Sequence, residues 1–248
     1  MTVPPSSPFP LTYALHGGRP SVDISFTVDA DSTCLVDVLT GYSLGQSSPV
    51  RLGTFSGRLP PRTMQGLTRW ANSVRSGDAG VALPGTVSRF LGRAGGGLRP
   101  VDKEPPASLD ESLLDAGRAA LASPLSAVEV EAQGEASRPN LVITGIGMEP
   151  FHLLLFARDV AGFWPRLRRD DPVAAEGGST VPFEEIQGLV DRGEIREGVF
   201  DLAPGESVSL PLPPSAGGGP ASGSFIFWRP GQGEERRILA GQWSLQER

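Results

Sequence analysis

The stretch Val22-Asp-Ile-Ser-Phe-Thr-Val28 decides the fold, because apolar and polar residues alternate at every position. Alternation with a period of two is typical of a β-strand with one buried and one solvated face. The turn-forming residues Asp29-Ala-Asp-Ser-Thr33 follow, and Cys34-Leu-Val-Asp-Val-Leu39 then returns with further apolar positions. We therefore expect an antiparallel hairpin, preceded by another strand at residues 11–15.

Glycine and proline are unusually frequent, with 32 and 24 of the 248 residues respectively, and together they reach roughly twice their average share. Breaks at this frequency exclude a coiled coil or a helical bundle. Apolar residues make up 39% of the chain and charged residues 20%, which permits a buried core and argues against full disorder. The composition predicts short elements joined by many turns.

Further elements follow from residue spacing along the rest of the chain. After Pro60-Pro61, residues Met64, Leu67, Trp70 and Val74 recur at helical spacing. In the second half we expect strands at 128–130, 141–146 and 151–156, a helix near 182–192, a turn at Pro204-Gly205, and a terminal hairpin over 224–245. These elements predict a mainly β fold with an α+β minority, made of two tandem β-sandwich-like units, each antiparallel with one or two short helices.

Short sequence matches recur in the same order at an offset of about 120 residues. Arg19-Pro-Ser-Val-Asp-Ile-Ser25 is echoed by Arg138-Pro-Asn-Leu-Val-Ile-Thr144, and Met64-Gln-Gly-Leu67 by Ile186-Gln-Gly-Leu189. The matches indicate a diverged duplication, and the alternative is chance agreement among common residues. We expect a flexible tail at 1–9, an N-terminal β-rich domain at 10–123, and a C-terminal β-sandwich-like domain at 124–248.

Residues 108–122 are open to two interpretations. Ser108-Leu-Asp-Glu111 matches a capping box, and the apolar residues after it fit a helix. The internal repeat instead aligns residues 113–121 with the final strand. We favour the helix, because the alanine-rich composition and the local cap agree.

A nucleophile-elbow pattern is present at Gly41-Tyr-Ser43-Leu-Gly45, with the oxyanion-loop-like His16-Gly17-Gly18 upstream. In a serine hydrolase, Ser43 would attack and His152 would act as the base. An elbow must lead into a helix, but Pro49 and Gly53 interrupt the residues that follow. The segment between Gly18 and Gly41 also leaves no room for the crossover helices of a parallel sheet. We therefore expect a turn serine and assign no catalytic residue.

Neither a metal site nor a cofactor is expected. Asp29-Ala-Asp31-Ser-Thr33 resembles the start of a calcium loop, but Cys34 and Thr40 stand where glycine and glutamate are required. With two histidines and Cys34 as the single cysteine, neither a zinc site nor an intrachain disulfide is expected.

The net charge is −6, and an acidic surface repels phosphate backbones, so we expect no nucleic-acid partner. The N-terminus has neither a basic nor an apolar signal region, and the longest apolar run is too short to cross a bilayer. We expect no membrane association and a cytoplasmic location.

The most unusual local cluster is Phe163-Trp164-Pro-Arg166-Leu-Arg168-Arg169-Asp-Asp171. Tryptophan and arginine are enriched at protein-binding hot spots, so a partner-binding loop is one interpretation. The other is that Phe163 and Trp164 pack inward while Arg168 and Arg169 pair with the two aspartates in a solvated turn.

The sequence therefore favours a non-enzymatic binding protein that acts on another protein, and one version of this function is an inhibitor-like module. The alternatives are a serine hydrolase that uses Ser43 and His152, and a structural subunit of a larger assembly. The candidate binding residues are Phe163, Trp164, Arg166, Arg168 and Arg169.

Overall fold

The computed structural model describes residues 9–19, 21–74, 86–93, 96–101, 103–135, 137–157, 164–170, 178–213, 221–231 and 236–245. Within these residues, fifteen strands and three α-helices confirm the mainly β fold with few helices, and the strands form two antiparallel sheets. None of these helices combines the length and the apolar composition that a bilayer crossing requires. Residues 1–8 of the expected N-terminal tail lie outside the described part of the chain.

The chain divides into two compact units. The first is drawn from residues 1–38 and 54–123, and the second from residues 39–53 and 124–248. Residues 39–53, expected in the N-terminal domain, thus cluster with the C-terminal residues. The domain boundaries and the duplication stay predictions.

The first unit is an antiparallel sheet with two helices. Its elements are β1 (Leu11–Gly17), β2 (Val22–Val28), β3 (Thr33–Val38), β4 (Val50–Arg58), α1 (Pro61–Ser73), β5 (Val87–Arg93), β6 (Arg99–Pro100) and α2 (Ala107–Ala120). The strands follow the order β4-β3-β2-β1-β5-β6, and β4 contributes residues 54–58.

The expected hairpin is confirmed as β2 and β3, with Val28 opposite Cys34 next to the turn. Ile24, Phe26 and Val28 are fully buried on one face of β2, and the residues opposite them on β3 are buried as well. The alternation in the sequence therefore corresponds to one apolar face of the sheet.

Both helices pack on this apolar face and meet Tyr13 of β1, which lies opposite Phe26 in the strand register. The ring of Trp70 from α1 contacts the Tyr13 ring edge-to-face, with centroids 5.5 Å apart. The Tyr13 hydroxyl donates a 2.5 Å hydrogen bond to Oδ1 of Asp110 from α2. Tyr13 is fully buried, so these contacts hold both helices against the sheet.

The contested segment is the helix α2, as favoured, but the expected capping box is wrong. The N-cap residue is Pro106, and no side chain caps the helix. Pro106 has the extended conformation (φ −54°, ψ 138°) from which a helix can start, so α2 begins at Ala107 and Ser108 lies within its first turn. The repeat thus aligns part of a helix with the final strand. By contrast, the matched stretches at 64–67 and 186–189 both lie in helices.

The second unit has two groups of strands and one α-helix. Its elements are the 3₁₀ helix η1 (Gly41–Leu44), residues 50–53 of β4, β7 (Pro124–Glu135), β8 (Arg138–Gly145), β9 (Phe151–Leu154), β10 (Arg166–Arg169), β11 (Ser179–Thr180), α3 (Phe183–Asp191), β12 (Val199–Leu202), β13 (Ser207–Pro211), β14 (Ser222–Pro230) and β15 (Arg236–Ser244). One group has the order β13-β8-β7-β4, and the other has the order β11-β10-β14-β9-β12. β15 pairs along the whole length of β14, on the edge that β10 and β9 leave open.

Two tight connections carry the chain from one group of strands to the other. β8 and β9 are consecutive, yet β8 pairs with β13 and β9 pairs with β12. The expected turn at Pro204-Gly205 joins β12 to β13 and is closed by the Glu206 N–H, which donates to the Ala203 carbonyl. The large buried side chains of this unit include Phe151, Phe156, Phe225, Phe227 and Trp243.

Candidate functional site

Three aromatic rings in the second unit run from the core to the surface. Phe156 is buried and stacks on Phe183, the first residue of α3, with centroids 5.7 Å apart. Phe183 is 37% exposed and meets the edge of the Trp164 ring at 5.2 Å. Trp164 is itself half-buried. The exposed rings are therefore held by packing against a buried one.

Arg166 completes this arrangement. Its guanidinium carbon lies 5.7 Å from the centroid of the Trp164 ring, which is a cation–π distance. Arg166 is exposed, and no carboxylate among the described residues forms an ion pair with it. We refer to Trp164, Arg166 and Phe183 as the Trp164 surface. It offers aromatic area and a guanidinium with several donors to an external partner.

The predicted binding loop is largely the strand β10, whose alternation sorts its residues. Leu167 and Arg169 are buried, whereas Arg166 and Arg168 are exposed. The backbone of this segment is engaged as well, because the indole Nε1 of Trp243 donates to the Arg168 carbonyl at 3.1 Å. The alternation of a strand therefore places Arg166 and Arg168 on the exposed face and Arg169 on the buried face. A loop would not impose this alternation.

The remaining residues of the cluster have different environments. Arg169 is 7% exposed, and its guanidinium donates to the Pro213 carbonyl at 3.4 Å. Arg168 faces Asp170 at 3.8 Å, and both side chains are about half exposed. Phe163 and Asp171 lie outside the described residues. Arg169, expected to be a binding residue, is therefore directed into the protein.

The nucleophile-elbow pattern forms a short turn. Ser43 lies within η1, and the left-handed residue Gly45 (φ 63°) ends that 3₁₀ helix. Ser43 is 6% exposed, and its hydroxyl lies 2.8 Å from the hydroxyl of Thr40, which is also buried. No α-helix follows in the described residues before β4 begins at Val50. The strand–turn–helix geometry of a nucleophile elbow is not formed here.

The two histidines each pair with an aspartate on a neighbouring strand. Nδ1 of His152 lies 2.5 Å from Oδ1 of Asp201, and both side chains are more than 60% exposed. Nδ1 of His16 lies 3.2 Å from Oδ2 of Asp23. The exposed His152 ring is thus directed to Asp201, while the Ser43 hydroxyl is buried next to Thr40.

The calcium-like loop serves as the β2–β3 turn. Asp31 accepts hydrogen bonds from the backbone N–H and the hydroxyl of Thr33, both at 2.9 Å. These bonds stabilise the carboxylate and hold the pKa of Asp31 below its ordinary value. Among the described residues, no group of three or more His, Cys, Asp or Glu side chains is arranged to hold a metal ion.

Sequence reasoning missed Phe183, which lies 19 residues beyond Trp164 along the chain. Its position directly after Val181-Pro182 signalled the start of a helix, but nothing local indicated that its ring meets Trp164. The Tyr13–Asp110 pair of the first unit was missed for the same reason, because 97 residues separate the partners. Comparison of the chain with protein-family models, curated proteins and solved structures finds no match.

Proposed function

We propose that this chain is a binding protein that acts through contacts with another protein, and that the Trp164 surface is part of the contact. The observation that carries the proposal is the exposed Arg166 guanidinium held over the Trp164 ring, next to the partly exposed Phe183. Tryptophan and arginine dominate binding energetics, because they combine large apolar area with planar hydrogen bonding.

The packing of these residues supports the same proposal. Ordering a flexible side chain opposes binding, at about 0.5–1.5 kcal/mol for each immobilised side chain. Here Phe183 already stacks on the buried Phe156, and Trp164 already contacts Phe183. The surface is largely ordered before a partner arrives, so less of the contact energy is lost on binding.

The charge of the surface indicates the partner's chemistry. Arg166 has no carboxylate partner among the described residues, so a carboxylate on the other protein would complete a bidentate pair. The adjacent rings would lie against an apolar patch. An inhibitor-like module is one form of this binding activity. A structural subunit of a larger assembly is an alternative to it, and the identity of the partner distinguishes the two.

The buried position of Ser43, hydrogen-bonded to Thr40, supports a non-enzymatic role. A reactive serine must be accessible to its substrate and within reach of a base. Ser43, 6% exposed in η1, does not meet the first condition.

Affinity purification of the tagged chain from its native cells, followed by mass spectrometry, identifies the partner. Purified partner is then titrated against the wild-type chain and the Trp164→Ala, Arg166→Ala and Arg166→Lys variants. We expect each alanine variant to weaken binding about 30-fold or more, as at a hot spot. Arg166→Lys keeps the charge but loses the planar fork, so it should restore only part of the affinity.

Leu35→Ala is the matched control, because Leu35 is a large apolar residue, 42% exposed, in the other unit. It should bind the partner with unchanged affinity. Circular dichroism establishes that each variant is folded. Equal affinity of wild type and Trp164→Ala, or equal losses in Trp164→Ala and Leu35→Ala, would refute the proposed surface.

A further inference from the structure

A cavity of about 690 Å³ lies in the first unit, between α1 and the start of α2. One wall is a single face of α1, and residues 103–112 provide the other. Sites for small molecules have volumes of roughly 300–1,000 Å³. The cavity thus has the size of a small-molecule site, and it is separate from the Trp164 surface, which lies in the second unit.

The cavity is lined by three cationic side chains, Arg62, Arg69 and Lys103. Among the described residues, neither arginine has a carboxylate partner, and the hydrogen bond of Lys103 is a long one to Ser73 Oγ at 3.4 Å. Glu104 is the only carboxylate in the lining, and it forms an ion pair with Arg89, whose Nη1 lies 2.9 Å from the Glu104 Oε1. This concentration of positive charge stands out in a chain of net charge −6, whose only lysine is Lys103.

Trp70 lies in the wall of the cavity, and its indole N–H is unpaired among the described residues. The residue is 4% exposed. Buried N–H groups in folded proteins are nearly always paired. It is the single buried side-chain nitrogen or oxygen in the described part of the chain that lacks a partner.

The start of α2 adds to the same electrostatic preference. Pro106 and Ser108 line the cavity, and no side chain caps this fourteen-residue helix. The unpaired amides of a helix N-terminus carry partial positive charge, which favours an anion.

We propose that this cavity binds a small organic anion. Arg62, Arg69 and Lys103 receive its phosphate, sulfonate or carboxylate group, and its apolar body packs against Trp70 and Pro105. This inference is independent of the proposed protein-binding function, because it concerns other residues in the other unit.

Titration with 1-naphthyl phosphate, followed by calorimetry and by the indole N–H resonances of the ¹⁵N-labelled protein, tests the proposal. Trp70→Phe identifies the Trp70 resonance by its loss. We expect that resonance to shift on binding, whereas those of the other three tryptophans do not. Uncharged 1-naphthol should bind about tenfold more weakly or worse, because it lacks the group that the cations receive.

The double variant Arg62→Gln/Arg69→Gln should weaken binding of 1-naphthyl phosphate about tenfold or more, because two of the three cations are removed. The matched control is Arg118→Gln, which removes an exposed arginine of α2 outside the cavity lining and should leave the affinity unchanged. Both arginines of the double variant are exposed, so the fold should persist, and a wild-type-like amide spectrum verifies this.

Three results would overturn the proposal. One is the absence of any shift of the Trp70 resonance with about 5 mM 1-naphthyl phosphate. This concentration would largely saturate a site with a dissociation constant of about 1 mM. Another is that the wild type binds 1-naphthyl phosphate and 1-naphthol with equal affinity, or that the wild type and the double variant bind 1-naphthyl phosphate with equal affinity. The third is binding of hexaglutamate without binding of 1-naphthyl phosphate, which would assign the cavity to an acidic peptide.

Discussion

Replacing Tyr13 by phenylalanine removes one hydroxyl from a partly buried polar network and leaves the ring in place. The hydroxyl donates to Oδ1 of Asp110 at 2.5 Å, while Oδ2 of Asp110 accepts hydrogen bonds from Arg89 at 2.9 and 3.1 Å. A phenylalanine ring keeps the edge-to-face contact with Trp70. The loss is therefore one hydrogen bond to a charged group, and we expect the free energy of unfolding to fall by about 1.5–3 kcal/mol at pH 7.

The chain contains two tyrosines, so Tyr42→Phe is a matched control. Tyr42 is half-buried, and its hydroxyl has no hydrogen bond to the described residues. We expect Tyr42→Phe to change the free energy of unfolding by less than about 0.5 kcal/mol. Urea denaturation followed by tryptophan fluorescence measures both variants. Equal losses in the two variants, or a loss below that limit in Tyr13→Phe, would refute the reasoning.

The pH dependence provides a second test of the same network. Burial, together with the hydrogen bond and the charge of Asp110, raises the pKa of Tyr13 above its ordinary value of 10.0. The folded state therefore retains this proton when the unfolded state loses it. The contribution of Tyr13 to the free energy of unfolding is fully present below pH 10. It falls as the pH rises further, by up to about 1.4 kcal/mol per pH unit.

Tyr13→Phe removes this dependence. The difference in the free energy of unfolding between wild type and variant should therefore shrink above pH 10. A difference that stays constant from pH 8 to pH 11 would show that Tyr13 ionises in the folded state as readily as in the unfolded state.

Other perturbations test further parts of the structure. Gly223→Ala places a Cβ 1.9 Å from the Arg168 carbonyl oxygen, and should lower the urea-derived free energy of unfolding by about 3 kcal/mol. Gly66→Ala, in a helix with its nearest neighbour atom at 3.4 Å, should raise it by about 0.5–1 kcal/mol, and equal effects of the two substitutions would contradict the packing described. Burial raises the pKa of Cys34 from 9.0 to about 12, which lowers the thiolate fraction at pH 8 about 1,000-fold. Its reaction with a disulfide reagent should therefore be at least about 100-fold slower than in the urea-unfolded chain. A fluorophosphonate probe should label neither the wild type nor Ser43→Ala, and labelling that only the substitution abolishes would establish the serine hydrolase alternative.

Local patterns predicted the elements whose causes are local. The alternation over residues 22–28 and the turn formers after it predicted the hairpin of β2 and β3. Helical spacing after Pro60-Pro61 predicted α1, which begins at Pro61. The proline and glycine that follow Ser43 indicated that no α-helix begins there, and the structure has a single 3₁₀ turn. In each case a few consecutive residues determine the backbone conformation.

The composition of the candidate site was also visible in the sequence, but its arrangement was not. The cluster around Trp164 was singled out by residue type, whereas only the strand geometry of β10 separates the exposed Arg166 from the buried Arg169. Arg169 is buried because Pro213, 44 residues away, supplies an acceptor for its guanidinium. A charged side chain can be buried only where such a partner exists, and local sequence does not reveal it.

The sequence by itself determined the strands β2 and β3, the turns at 29–33 and 204–205, and the helix α1, because these elements depend on periodicity and on residues with restricted backbone angles. The tertiary structure decided which strands pair, that residues 39–53 cluster with the C-terminal unit, and that Tyr13, Trp70 and Asp110 meet. These outcomes depend on contacts between residues far apart in the chain. Such contacts form only when whole apolar faces pack together, so no single segment encodes them.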